Sequence, residues 1–152
     1  DRLAIEGVRM RFIGDRGRLD PKLQRLMAGI DARTAGNTRL NLTVAINYGG
    51  RDEMRRACIA VAREAVAGRI DPADLTEAAL ADRLDTAGLP DPDLVIRTSG
   101  ETRVSNFLPW QTAYAEWEFT PTLWPDFGPD ELGAIIARFD NRERRFGGVR
   151  GA

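Results

Sequence analysis

Histidine is absent from the 152 residues, and cysteine occurs once, at Cys58. The chain therefore lacks the commonest general base and metal ligand, and it cannot form an internal disulfide. We expect Cys58 to be a buried filler within a helix of small apolar residues. The sequence contains no apolar run long enough to span a bilayer and no signal-peptide pattern, so a cytoplasmic location is the default expectation.

A strong charge of either sign is also missing, because 22 lysine and arginine residues face 23 aspartate and glutamate residues and leave a net charge of −1. This balance gives no indication of binding to nucleic acid or to an anionic membrane by bulk electrostatics. A site for an anionic ligand must therefore depend on a few local arginines. The length suits one domain with a real core, in which about 68–70% of the unfolded surface is buried.

The order of predicted elements is β-α-β-α-α-β-α-β-α. Strands are predicted at 8–13, 40–46, 94–96 and 116–119, and helices at 21–35, 51–67, 72–84, 106–113 and from 129 onward. We expect one helix stripe to pack in the core at Leu23, Leu26, Met27 and Ile30, and a second at Met54, Cys58, Val61, Ala62 and Ala65. The alternation predicts an α/β fold with a largely parallel sheet flanked by helices.

The stretch 92–127 carries most of the chemistry. An apolar strand, 94–96, ends at Arg97 and opens into a polar loop that contains Gly100, Arg103 and Ser105. In α/β proteins the crevice outside the carboxyl end of such a strand holds the ligand. Two guanidinium groups and a hydroxyl make a diphosphate receptor, although an arginine after a strand is often only a solvated loop charge.

The sequence motifs of this stretch, together with two motifs outside it, decide between these interpretations. Five motifs occur in order: Asn47-Tyr-Gly-Gly-Arg51, Arg97-Thr-Ser-Gly-Glu-x-Arg103-x-Ser105-Asn-Phe, Trp110-Gln-x-Ala-Tyr-x-Glu116-x-x-Phe119, Leu123-Trp-Pro-Asp-Phe127 and Asn141-Arg-x-Arg-Arg-Phe-Gly-Gly148. Together they resemble the cis-prenyltransferases, the undecaprenyl diphosphate synthase or isoprenyl transferase family. The resemblance runs from about residue 8 to residue 149.

The resemblance implies a definite activity. Members of this family add isopentenyl diphosphate to an allylic diphosphate with Mg²⁺ and build a cis-polyprenyl chain such as undecaprenyl diphosphate. The family further implies a homodimer, no nucleic-acid partner, and delivery of the product to a membrane by a protein without a transmembrane segment. The length of the product and the preferred allylic primer cannot be read from this part of the family pattern.

The resemblance also assigns residues. Arg97, Arg103 and Ser105, with the backbone around Val104, match the isopentenyl diphosphate site, and Glu116 matches the glutamate associated with Mg²⁺ across the homodimer interface. Glu118, on the same strand face, does not match the motif and serves as an internal control. Three further positions are assigned more loosely: Leu40 to the far end of the product tunnel, where core packing is the alternative, and Arg142 and Arg144 to the diphosphate site or the dimer contact.

One departure from the family pattern is large. The Met-Asp-Gly-Asn motif, with the aspartate that binds Mg²⁺ and the allylic diphosphate, has no match in the chain, so no catalytic residue is assigned. The chain begins at Asp1 without an initiator methionine. We therefore expect residues 1–152 to be the C-terminal portion of a single cis-prenyltransferase domain, with little or no turnover alone.

Two other functions remain as alternatives. The first is a non-catalytic partner subunit of a heteromeric prenyltransferase, but such subunits tend to lose the isopentenyl diphosphate residues that are present here. The second is an unrelated nucleotide- or phosphate-binding α/β domain. That class predicts a G-x-G-x-x-G or Walker motif, and the sequence has neither.

Overall fold

The computed structural model describes residues 2–141. This part of the chain divides into two compact units. The first contains residues 2–90 and 106–110, and the second contains residues 91–105 and 111–141. Both units contain strands and helices, and each is described by itself below.

The first unit contains a parallel pair of strands. Its elements are α1 (Arg2–Ile5), β1 (Val8–Ile13), a short 3₁₀ turn (Arg16–Arg18), α2 (Pro21–Thr34), β2 (Leu40–Ala45), α3 (Gly50–Val66), a second 3₁₀ turn (Pro72–Asp74) and α4 (Glu77–Ala81). β1 and β2 run parallel, with Val8 beside Leu40 and Ile13 beside Ala45. A parallel pair needs a long crossover, which α2 provides.

Local chemistry explains where α2 starts, and its last residue explains how it packs. The carboxylate of Asp20 accepts a hydrogen bond from the N–H of Lys22 at 2.8 Å, and Pro21 occupies the first helical position, where its missing N–H costs little. At the other end, the buried hydroxyl of Thr34 accepts from the N–H of Met10 in β1 at 3.0 Å. A side-chain hydrogen bond thus caps the start of α2, and another joins its last residue to β1.

The second unit contains the other parallel pair, β3 (Leu94–Arg97) and β4 (Glu116–Phe119), followed by a 3₁₀ turn (Trp124–Asp126) and α5 (Pro129–Asp140). β3 and β4 are in register from Leu94 beside Glu116 to Arg97 beside Phe119. On α5, the side chain of Ile135 is almost fully buried, at 1% exposure. This register brings the ends of both strands to the same edge of the pair.

The predicted fold class is confirmed, because both strand pairs are parallel and helices accompany them. In the described residues the four strands form two sheets of two strands each. The predicted positions of the strands agree with the structure within one residue at each end. No helix within residues 2–141 is both long and apolar enough to cross a membrane.

Two predicted helices were wrong. Residues 106–113 form turns, since Asn106 and Leu108 have positive φ angles of 63° and 47°, which a helix does not accommodate. The stretch 72–84 is broken at Leu75 and Thr76, which are extended, and the hydroxyl of Thr76 caps a new short helix by accepting from the N–H of Ala79. A proline in the early part of each segment misled the prediction.

The buried face of α3 also differs from the prediction. Cys58, expected to be buried, is exposed, and so is Ala62. The helix buries Val61, as predicted, but its other buried side chains are Glu53 and Ala57, which were not predicted. The stripe predicted on α2 is only partly buried as well, because Met27 is 1% exposed but Leu26 is 56% exposed.

Candidate functional site

The loop after β3 is held to the end of β4 by three backbone hydrogen bonds. Thr120 N–H donates to the carbonyl of Arg97 at 2.9 Å, Gly100 N–H donates to the carbonyl of Thr120 at 2.9 Å, and Ser99 N–H donates to the carbonyl of Thr122 at 2.8 Å. Ser99 and Gly100 both have φ of 67°. The loop therefore leaves the strand through a left-handed turn that the neighbouring segment stabilises.

Arg97 is the last residue of β3, and its guanidinium faces the far end of the same loop. Its Nη2 donates to the hydroxyl of Ser105 at 3.3 Å. Its Nε is buried and has no hydrogen-bond partner within the described residues. An unpaired buried donor typically costs about 1–3 kcal/mol. An anion that accepts from this nitrogen would recover that cost, so the arrangement suits a ligand with several oxygen acceptors.

Arg103 and Val104 lie on the open side of the loop. The side chain of Arg103 is 72% exposed and forms an ion pair with Glu101. Val104 is 40% exposed, and Ser105 has a φ of 50°. The structure thus brings Arg97 to Ser105, whereas it pairs Arg103 with an acid of its own loop. An exposed ion pair of this kind is worth about 0–1 kcal/mol, so a phosphate can replace Glu101 at little cost.

Glu116 and Glu118 share one face of β4 but differ in their surroundings. Glu118 forms an ion pair with Arg138 of α5, and its side chain is 16% exposed. Glu116 is half-buried at the start of β4, and its N–H donates to the carbonyl of Asp93 at 2.9 Å. The prediction that the two acids have different roles stays a prediction for Glu116, while Glu118 has a structural partner.

A complete metal site is not found in the described part of the chain, which contains no cluster of three or more histidine, cysteine, aspartate or glutamate residues. Glu116 offers oxygen ligands, which Mg²⁺ prefers, but a single carboxylate cannot hold this ion by itself. The assignment of Glu116 to a Mg²⁺ site that further ligands would complete stays a prediction. Arg142 and Arg144 lie outside the described residues.

In the first unit, the residue after Ser105 caps a helix that is distant in sequence. The carbonyl of Asn106 accepts from Gly50 N–H at 2.8 Å, and its side-chain oxygen accepts from Arg51 N–H at 2.9 Å. Gly49, the N-cap of α3, has no side chain to make these bonds itself. Sequence reasoning missed this role of Asn106, although both the Asn-Tyr-Gly-Gly and Ser-Asn-Phe motifs had been recognised.

A buried polar network supports the same end of α3. Glu53, 1% exposed, accepts from the hydroxyl of Tyr48 at 2.6 Å and from the N–H of Asp85 at 2.8 Å. Arg56 donates two hydrogen bonds to the carboxylate of Asp85, at 2.7 and 2.8 Å, and Gly14 N–H donates a third at 2.9 Å. The network joins α3 to the end of β1 and to the segment after α4.

The network shifts two acidities in opposite directions. Hydrogen bonds from Arg56, opposed by partial burial, hold the pKa of Asp85 below its ordinary value. Burial, followed by the hydrogen bond to Glu53, raises the pKa of Tyr48 above its ordinary value. Asp85 is therefore an anion and Tyr48 a neutral donor at neutral pH, which suits a structural role for both.

Leu40 is 58% exposed at the start of β2. The alternative of core packing for this residue was wrong for the described structure. Its assignment to a product tunnel stays a prediction.

The loop after β3 and its arginines make a candidate anion-binding site in an α/β protein, and comparison with known proteins identifies the family. Residues 1–147 match the family model described as "Putative undecaprenyl diphosphate synthase". The isoprenyl transferase of Brucella abortus is 51% identical over 142 residues, which cover 93% of this chain and 56% of the relative. The (2E,6E)-farnesyl-diphosphate-specific ditrans,polycis-undecaprenyl-diphosphate synthase of Xanthomonas campestris is 50% identical over 147 residues, 97% of this chain and 57% of the relative.

Two solved structures that resemble the chain have names consistent with this family. Lavandulyl diphosphate synthase from Lavandula x intermedia, in complex with dimethylallyl diphosphate, matches with a TM-score of 0.89 and 36% identity over 93% of this chain and 61% of its own. A "probable undecaprenyl diphosphate synthase" from Campylobacter jejuni matches with a TM-score of 0.80 and 38% identity, over 95% of this chain and 65% of its own. The chain belongs to the undecaprenyl diphosphate synthase family, as its motifs predicted, and it spans just over half the length of the relatives it matches.

Proposed function

We propose that the protein to which this chain belongs is a cis-prenyltransferase that adds isopentenyl diphosphate units to an allylic diphosphate. Its product is a Z-polyprenyl diphosphate such as undecaprenyl diphosphate. Family membership supports the reaction class, and the relative from Xanthomonas campestris is named as specific for farnesyl diphosphate. We also propose that residues 1–152 alone have little or no turnover, since they correspond to 56–57% of the length of these relatives.

The observation that carries the assignment of the site is the state of Arg97. Its Nε is buried and has no hydrogen-bond partner among residues 2–141, and its Nη2 already contacts the hydroxyl of Ser105 at 3.3 Å. Each charge-assisted bond from these groups to a phosphate oxygen contributes about 1.5–3 kcal/mol. In the proposal, Arg97, Ser105 and the backbone around Val104 bind the diphosphate of isopentenyl diphosphate, and Arg103 exchanges Glu101 for this ligand.

Glu116 is the chain's proposed contribution to Mg²⁺ binding, in a homodimer whose second protomer and bound diphosphates complete the site. Mg²⁺ is commonly held by one or two carboxylates together with substrate phosphates and water, which is compatible with a site to which this chain contributes one glutamate. A bound Mg²⁺ ion would neutralise part of the negative charge of the diphosphates. A cytoplasmic enzyme whose product passes to a membrane is part of the same proposal.

The test is incorporation of radiolabelled isopentenyl diphosphate by the full-length protein, with chromatography of the products. Arg97→Ala and Arg103→Ala should each raise the KM for isopentenyl diphosphate by about tenfold or more, because each removes a charge-assisted contact. Arg138→Ala is the matched control, because it removes a cation from the same unit. Arg138 is distant from the loop in sequence and forms an ion pair with Glu118. Unchanged KM values in both loop variants would remove the assigned site.

The same experiment separates the enzyme from a non-catalytic partner subunit. A full-length protein that binds isopentenyl diphosphate but incorporates none by itself, and that stimulates a separate prenyltransferase when mixed with it, would favour the partner subunit. Incorporation by the isolated full-length protein would exclude that alternative.

A further inference from the structure

One carboxylate that is not among the proposed substrate-binding residues accepts hydrogen bonds from the segment 120–122. This segment holds the loop after β3, residues 98–105, which is called the Arg97 loop below. Glu131, in the first turn of α5, accepts a hydrogen bond at its Oε1 from the hydroxyl of Thr120 at 2.5 Å and another from the hydroxyl of Thr122 at 3.2 Å. Thr120 is 7% exposed, so its hydroxyl has little access to water as an alternative partner. A negative side chain in the first turn is also favoured by the helix dipole.

The two threonines bonded to Glu131 are the residues that hold the loop. Their carbonyls accept the N–H groups of Gly100 and Ser99, and the N–H of Thr120 donates to the carbonyl of Arg97. Glu131 thus holds the side chain of Thr120, and the backbone of Thr120 holds the loop. Every link lies within the second unit.

The conformation of the loop explains why it needs this support. Ser99 has a φ of 67°, a left-handed conformation that L-residues other than glycine rarely adopt. Such a conformation persists only where neighbouring contacts impose it. The hydrogen bonds from Ser99 and Gly100 to the 120–122 segment are those contacts.

We infer that Glu131, acting through Thr120, is a positioning residue that fixes the Arg97 loop for the diphosphate of isopentenyl diphosphate. The inference rests on the proposed function for the identity of the ligand. Glu131 does not contact the ligand in this arrangement, and its effect travels through the Thr120 hydroxyl and backbone. Loss of that hydroxyl should therefore weaken ligand binding and leave the chemical step largely unchanged.

The test uses full-length protein with three substitutions. Thr120→Val removes the hydroxyl at nearly constant volume, Thr120→Ser retains it, and Glu131→Ala removes the acceptor. Glu118→Gln is the control, because Glu118 is another half-buried carboxylate of the second unit but is paired with Arg138. Thr120→Val and Glu131→Ala should raise the KM for isopentenyl diphosphate about tenfold with kcat within about twofold, while Thr120→Ser and Glu118→Gln stay near wild type.

Hydrogen–deuterium exchange gives a readout that does not require activity. The amides of residues 99 and 100 should exchange about tenfold faster in Thr120→Val than in wild type and in Thr120→Ser, while exchange in β1 and β2 stays unchanged. Wild-type exchange rates in Thr120→Val and Glu131→Ala would overturn the inference. If Thr120→Val does not fold, Glu131→Ala decides by the same measurement. If the wild-type protein incorporates no isopentenyl diphosphate, the proposed function fails. Faster exchange of the amides of residues 99 and 100 in Glu131→Ala would even then support the role of Glu131 in holding the loop.

Discussion

Gly50, the first residue of α3, lies where a side chain cannot be accommodated. A Cβ added there would lie 2.1 Å from Cδ and 2.5 Å from Cγ of Pro109, and 3.2 Å from the carbonyl oxygen of Asn106. Carbon atoms in contact normally lie about 3.5–4.0 Å apart, so the Pro109 ring would have to move by more than about 1 Å. We predict that Gly50→Ala detaches the 106–110 segment from α3.

The size of the effect follows from the contacts that are lost. Overpacking of this kind costs about 1–3 kcal/mol. Movement of the segment also breaks the hydrogen bonds that Gly50 N–H and Arg51 N–H donate to Asn106, at 2.8 and 2.9 Å, each worth about 0.5–1.5 kcal/mol. We therefore expect Gly50→Ala to lower the free energy of unfolding by about 2–6 kcal/mol.

Urea unfolding monitored by circular dichroism measures this change. Gly29→Ala is the matched control, because Gly29 lies within α2 and an added Cβ meets nothing within 4 Å among the described residues. That substitution should raise the free energy of unfolding by about 0.5–1 kcal/mol.

A second substitution tests the cause of the clash. Pro109→Ala removes the two ring carbons that the new Cβ meets, so the double variant Gly50→Ala/Pro109→Ala should be more stable than additivity predicts. Gly50→Ala with the stability of Gly29→Ala, or additive effects in the double variant, would refute the reasoning.

Three further predictions concern other parts of the chain. Asp85→Asn should lower the free energy of unfolding at pH 7 by roughly 2–3 kcal/mol, because it weakens the bidentate bond to Arg56. Since the pKa of Asp85 is depressed on folding, its contribution is present above its ordinary pKa and is lost as the pH falls through the lower folded value, so the Tm of the variant should vary less with pH in that acid range. Glu116→Gln should shift the Mg²⁺ titration of activity to higher concentration, whereas Glu118→Gln should leave it unchanged, and identical curves for both would contradict the metal assignment. Cys58 is exposed, so a maleimide should label it in the native protein, and protection of the thiol would show that a partner covers this face of α3.

The elements of this fold could largely be predicted because each depends on neighbours in sequence. Asp20 and Pro21 start α2 within one turn, and the apolar run that ends at Arg97 specifies a strand. The family motifs assigned Arg97 and Ser105 to one substrate site, and the structure places Arg97 Nη2 3.3 Å from the Ser105 hydroxyl, but the role of the two residues stays a prediction. Short-range caps and periodicity act before any tertiary contact is made, and so they can be read from the residues alone.

The buried face of α3 could not be predicted in the same way. Hydrophobic spacing favoured Cys58 and Ala62, but the helix buries Glu53 instead. A buried carboxylate is tolerated here because Tyr48 and the N–H of Asp85 satisfy it. Polarity alone therefore predicted the burial of Val61 but not that of Glu53.

In each unit, some hydrogen bonds join residues that are distant in sequence. Asn106 caps a helix 55 residues earlier in the chain, and Glu131 reaches back 11 residues to Thr120. No periodicity or motif spacing encodes such pairs, since they exist only after strands and helices have packed. From the residues alone, Arg97, Arg103 and Ser105 are predicted to bind a diphosphate, and this stays a prediction. Packing determined which amide caps α3 and which carboxylate bonds to Thr120, because both contacts join residues that only the folded chain brings together.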